Sequence, residues 1–136
     1  MKEITVAATI ENIETVTDFV NAELEAIDCP MKAQMQLDIA IDELFSNIAH
    51  YAYGQDAGEA TVRLDFDPNE GEVSLSFIDS GIPFDPLKKT DPDTTLSAQE
   101  RSIGGLGIFL VKKTMDRMEY QYSNGQNILT IVKKLR

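Results

Sequence analysis

Two alternating segments joined by a four-residue turn restrict this chain more than any other feature. In residues 58–68 the apolar side chains Val62, Leu64 and Phe66 fall on every second position, and in residues 72–79 so do Val73, Leu75 and Phe77. Period-two alternation is the pattern of a strand with one face on a core. Pro68-Asn69-Glu70-Gly71 lies between them and is turn chemistry, so an antiparallel hairpin is predicted in which the first three residues face the second three. A hairpin that is apolar on one side needs something to cover it.

Helical spacing supplies the cover. Leu37, Ile41, Leu44, Ile48 and Ala52 recur on one side of a helix predicted over about residues 31–53, widened by Phe45 and Ala49 and stopped by Gly54. An earlier helix carries Ile13, Val16, Val20, Leu24 and Ile27 with Phe19 beside them; Asn12 or Thr9 is the expected N-cap, and the Asp28-Cys29-Pro30 junction ends it. A third helix is expected from Leu106 to Met118. Ile4 and Val6 alternate around Thr5 as a first strand, and residues 118–122 and 127–132 form a second hairpin around Asn124-Gly125. Periodicity is lost from Ser80 to Gly105, and residues 85–105 read as a lid or binding loop. The expected fold is α+β: one domain over 1–136, a mostly antiparallel sheet with three helices on one face.

Composition removes several classes of function. Twelve Lys+Arg stand against 23 Asp+Glu, a formal net charge of -11, which opposes a phosphate backbone and argues against direct nucleic-acid binding. The one cysteine, Cys29, has neither a disulfide partner nor metal-ligand spacing and reads as a small structural residue in a reducing compartment. With no apolar run of about 18 residues and no basic-then-apolar leader, the reading is cytoplasmic, without a membrane span.

Three short stretches carry chemistry. Glu43, Asn47 and His50 follow one another at i, i+4 and i+7, so a carboxylate and a carboxamide one turn apart can converge on one ligand; a carboxylate accepts a proton, and an amide oxygen is a hard donor suited to Mg²⁺. Asp79-Ser80-Gly81 follows a strand end, where a carboxylate can accept from an exocyclic amine and Gly81 lets the backbone pass beneath a flat base. Gly104-Gly105-Leu106-Gly107 opens a helix, and bare amides there with the positive end of the helix dipole form a phosphate cradle. Taken singly, each has a bland alternative: a solvated helix face, a turn-capping aspartate, a glycine at a helix start. The glycine stretch is neither a Walker loop nor a dinucleotide fingerprint.

In this fixed order, on these elements, the three stretches make the whole chain resemble the GHKL (Bergerat-fold) ATPase superfamily of gyrase, Hsp90, histidine kinases and MutL. Within it the chain is most similar to the small anti-sigma-factor serine kinases of the RsbW type. The resemblance implies ATP and Mg²⁺ as cofactors, with Asn47 as the metal ligand and Glu43 as the general base for a serine hydroxyl. It further implies that Asp79 reads adenine with Gly81 beside the base, that Gly105 and Gly107 wrap the phosphates, and that Thr130 supports the aspartate. Arg101 in the lid could reach the γ-phosphate, but a solvated arginine is the favoured reading there, and His50 is read as having a packing or hydrogen-bonding role and not as a phospho-acceptor. By the same resemblance the expected function is an ATP-dependent protein serine/threonine kinase and anti-sigma factor. It would phosphorylate a STAS-domain anti-anti-sigma partner, sequester a sigma factor and act as a homodimer. The alternative is a nucleotide-binding module that captures a partner without phosphoryl transfer, against which the presence of a base argues. A hydrolase fragment of a larger machine is disfavoured, because the chain ends soon after its last strand.

Overall fold

The computed structural model describes residues 1–54, 56–88 and 105–135. Its elements are β1 (Lys2–Ala7), α1 (Asn12–Ala26), α2 (Met31–Asn47), β2 (Glu59–Asp67), β3 (Glu72–Asp79), α3 (Gly105–Thr114), β4 (Arg117–Ser123) and β5 (Gln126–Lys134). A π-helical turn, Ile48–Ala52, continues α2, and a 3₁₀ turn, Pro86–Lys88, follows β3. The five strands form one sheet in the order β1-β2-β3-β5-β4, every neighbouring pair antiparallel.

The first hairpin pairs in the predicted register, with Val62 opposite Phe77, Leu64 opposite Leu75 and Phe66 opposite Val73. Leu129 and Ile131 of β5 extend the same apolar face. Val16, Val20 and Leu24 from α1, Leu37, Ile41, Leu44 and Phe45 from α2, and Ile108 and Val111 from α3 close over it as a single core. Each large aliphatic or aromatic side chain withdrawn from water this way contributes about 1.5–3 kcal/mol before chain entropy is charged against it. The opposite face of the sheet is hydroxylic and charged. Thr5 pairs with Thr61 at 2.8 Å, Ser76 with Thr130 at 2.9 Å, and Arg63 with Glu3 at 3.4 Å. The α+β architecture of three helices on one face of an antiparallel sheet is therefore the one observed.

Three boundaries differ from expectation for local reasons. The helix beginning at Met31 leaves α geometry after Asn47 and widens into the π turn, and Gly54 then takes φ +60° as its stop. The third helix ends at Thr114, four residues early, because the Lys133 ammonium donates to the Thr114 carbonyl at 2.7 Å and the backbone then turns into β4. Asn12 does not cap α1. Its Nδ2 donates to the Ala7 carbonyl at 2.8 Å and to Thr9 Oγ1 at 3.3 Å, tying the helix to the end of β1 instead.

Candidate active site

The site begins at the end of β3, where Asp79 is 6 % exposed. Its Oδ1 accepts from the Gly81 backbone N–H at 2.9 Å and from Asn127 Nδ2 at 3.0 Å. Oδ2 has no donor among the described residues, so the aspartate presents one saturated oxygen to the protein and one open acceptor. Gly81 is glycine because of its neighbour: a Cβ there would fall on the backbone carbonyl of Ala52, whose oxygen also accepts the Ile82 N–H at 2.9 Å. The π turn thus docks directly on the turn after Asp79, and a helix-end carbonyl that would lack an intrahelical partner is satisfied by that turn. Tyr53 holds the same turn from the other side. Its hydroxyl accepts the Ser80 N–H at 2.8 Å and donates to the Glu59 carbonyl at 2.6 Å, and its ring lies where a Cβ on Gly58 would be.

Asn127, in register with Asp79 across the β3–β5 ladder, organises this end of the site. Its Nδ2 donates to Asp79 Oδ1 and, at 2.8 Å, to the Ile82 carbonyl; its Oδ1 accepts the Phe84 N–H at 3.0 Å and the Tyr120 hydroxyl. All four hydrogen-bonding positions of a buried carboxamide are occupied. Burial pushes the Tyr120 phenol above its ordinary range, the Phe84 backbone bond opposing and the nearby Asp85 and Asp79 charges reinforcing the shift, so Tyr120 stays a neutral donor at physiological pH.

Above this network lies a cleft of about 560 Å³, part of it open to solvent. Leu44, Ile48, Ala52, Ile82, Phe84 and Leu129 give it apolar walls, with Asp79 and Asn127 as convergent polar groups and Asn47 at its margin. An apolar slot with one open carboxylate oxygen suits a flat base bearing an exocyclic amine.

Asn47 leads to the second half of the site. Its Nδ2 donates to Glu43 Oε1 at 3.4 Å, leaving its Oδ1 without a donor among the described residues. A bare amide oxygen beside a carboxylate fits Mg²⁺, which takes few protein ligands and completes its shell with phosphate oxygens and water. Among the described residues there is no group of three or more acidic, histidine or cysteine side chains able to hold a metal by themselves. The Glu43 carboxylate meets the first turn of α3. A Cβ on Gly107 would land on Glu43 Cδ and both carboxylate oxygens, so a side chain at 107 would displace the carboxylate from this corner, a movement its flexible end can make. Gly105 is the first residue of the same helix, whose N-terminal turn carries the free amides and the positive end of the dipole.

Of the residues singled out in the sequence, Glu43, Asn47 and Gly107 are brought together at one corner, and Asp79 and Gly81 with Asn127 at the other. Gly81 is kept bare by Ala52 and is not itself a wall of the cleft. The structure does not bring Thr130 to this cluster. Asn127, Leu129 and Ile131 turn inward along β5, so Thr130 faces the opposite side of the sheet and pairs with Ser76. The support expected from Thr130 is supplied by Asn127, and the parity of Leu129 and Ile131 was the signal that pointed to it. His50 is exposed on the π turn with its ring 5.9 Å from that of Tyr51. Arg101 and most of the 85–105 lid lie outside the described residues.

A profile of the histidine kinase-like ATPase domain matches residues 6–133, nearly the whole chain. The chain belongs to the histidine kinase-like ATPase family. Among curated members, it is 29% identical over 100 residues to the serine/threonine-protein kinase BtrW of Bordetella bronchiseptica, a match covering 74% of this chain and 70% of BtrW. It is 30% identical over 97 residues to the serine-protein kinase RsbW of Bacillus cereus ATCC 10987, covering 68% of this chain and 59% of that protein. The same fold is seen in the RsbU and RsbW domains of Rv1364c from Mycobacterium tuberculosis, with a TM-score of 0.63 at 17% identity over 99% of this chain and 33% of the other. It is seen again in the histidine kinase AdeS of Acinetobacter baumannii, with a TM-score of 0.55 at 11% identity over 100% of this chain and 70% of that one. The RsbW match thus spans little more than half of its relative's length.

Proposed function

We propose that this ATPase-family domain is an ATP-dependent protein serine/threonine kinase that also serves as an anti-sigma factor. The observation that carries the reading is the contact of Gly107 with the Glu43 carboxylate: a candidate base, an amide oxygen on Asn47 and the N-terminus of α3 share one corner of an amine-reading cleft. In this reading Asp79 Oδ2 accepts from the adenine amine, and the apolar walls hold the ring. The first-turn amides of α3 hold the phosphates, and Asn47 Oδ1 is the protein's ligand to Mg²⁺. The metal would supply neutralisation of phosphate charge, and Glu43 would take the proton of the attacking hydroxyl. Positioning dominates such a reaction, which fits a site built from packed helix and sheet rather than from many charged groups.

The resemblance to RsbW and BtrW supports a protein hydroxyl as acceptor. The finer assignment is a STAS-domain anti-anti-sigma partner and a competing sigma factor, engaged by a cytoplasmic homodimer. Among the described residues no helix is long and apolar enough to cross a membrane.

The test is to mix the protein with ATP, Mg²⁺ and candidate STAS partners and weigh the partner by mass spectrometry. A gain of one phosphate is expected with the wild type. Glu43→Gln should bind ATP normally in calorimetry and transfer nothing. If ATP binds and no partner gains phosphate, the domain is instead a nucleotide-dependent capture module. If Asp79→Asn binds ATP as well as the wild type, the assignment of Asp79 to adenine recognition fails.

A further inference from the structure

The outer side of α2 carries a feature that neither the core nor the cleft uses. Met31, Met35 and Ile39 are 69 %, 56 % and 57 % exposed, three large apolar side chains in a helix whose other face is fully buried. They stand at i, i+4 and i+8 and so form one continuous ridge about 12 Å long. Isolated exposed apolar residues are ordinary, but an aligned set on a regular helix marks a surface that meets another molecule.

Charge decides what that molecule is. From Asn12 to Asn47 the chain carries eight acidic side chains against Lys32 alone and α1 has no lysine or arginine, while Lys133 and Lys134 of β5 join Lys32 beside the first turn of α2, at the Met31 end. Asp42 and Asp18 are exposed on this layer, and Asp38 lies half-buried between α1 and α2. Beyond that end the ridge runs through a field of one sign, which attracts a complementary surface and repels its own kind. A second copy would set acid against acid across the ridge, and an anionic lipid or nucleic acid would be repelled outright.

We infer that the Met31–Met35–Ile39 ridge and the acidic surface around it form a docking face for a protein partner whose contact surface is apolar and ringed with lysine or arginine. The ridge advances in steps of four toward Glu43, so a partner seated on it lies within one helical turn of the candidate base. Docking itself requires no nucleotide.

The experiment uses the full chain labelled with ¹³C at methionine ε-methyl and isoleucine δ1-methyl groups, without ATP. It is titrated with an 18-residue amphipathic Leu/Lys peptide and, separately, with its Leu/Glu counterpart. The expected result is methyl shifts concentrated at Met31, Met35 and Ile39 with the basic peptide only, and a dissociation constant that rises at least about tenfold as salt is raised from 50 to 300 mM. Met35→Asp should abolish those shifts while leaving the circular dichroism and the melting temperature unchanged. Equal binding of the acidic peptide, no binding of either, or shifts centred elsewhere on the protein would overturn the inference. So would concentration-dependent shifts of these methyls in the protein alone, since a second copy would then be the occupant. Because nothing in the readout involves phosphoryl transfer, the result stands apart from that of the kinase assay.

Discussion

At the scale of single residues, two positions carry the site in opposite ways. Asn127 acts through what its side chain does, joining Asp79, Ile82, Phe84 and Tyr120 with one amide. Asn127→Ala leaves several buried polar groups unpaired, so a loss of about 3 kcal/mol in urea unfolding is expected together with a sharp fall in ATP affinity by calorimetry. Gly107 acts through what it lacks. Gly107→Ala places a methyl where the Glu43 carboxylate sits and moves that flexible end aside, and the expected outcome is at least about a hundredfold loss of phosphoryl transfer with the melting temperature little changed. Asp38 gives a third prediction. Burial raises its pKa above the ordinary value of 3.8, and the Asn21 amide only partly offsets this. A carboxyl with a raised folded-state pKa binds its proton more tightly when folded, so its contribution to stability falls as pH rises from about 4 through its own titration and is level above that. Asp38→Asn should therefore raise the melting temperature at pH 7, and the gain should shrink as the pH is lowered through that window.

At the scale of elements, β5 separates what alternation can and cannot say. Thr130→Val should leave ATP affinity within about twofold and cost about 1 kcal/mol, because the hydroxyl it removes pairs with Ser76 on the far face of the sheet. The hairpin register, the three helices and the covered face were legible because apolar side chains repeat with the period of each element. The inward position of Asn127 was legible too, given Leu129 and Ile131 two and four residues on. Thr130, one step out of phase with these positions, faces the other side of the sheet. The π turn had no such signal: Ile48-Ala49-His50-Tyr51-Ala52 reads as ordinary helix, and its widening is set by the docking of Ala52 on Gly81 and Ile82, a contact between residues some thirty apart in sequence. The corner formed by Glu43 and Gly107 was legible as two motifs, and only the packing of α3 on α2 shows that they touch.

At the scale of the whole molecule, a net charge of -11 sets a self-repulsion that the fold must overcome. Raising sodium chloride from 10 to 150 mM shortens the screening length from about 30 to about 8 Å, and the melting temperature is expected to rise by about 3 °C in scanning calorimetry. The cleft, meanwhile, draws its walls from α2 and the π turn, from the end of β3, and from β4 and β5 near the close of the sequence. Emerging from a ribosome, the polypeptide must therefore extend past Leu129 before any nucleotide has a place to sit. Its ligand can steady the finished domain yet has no means of guiding the early stages of its birth.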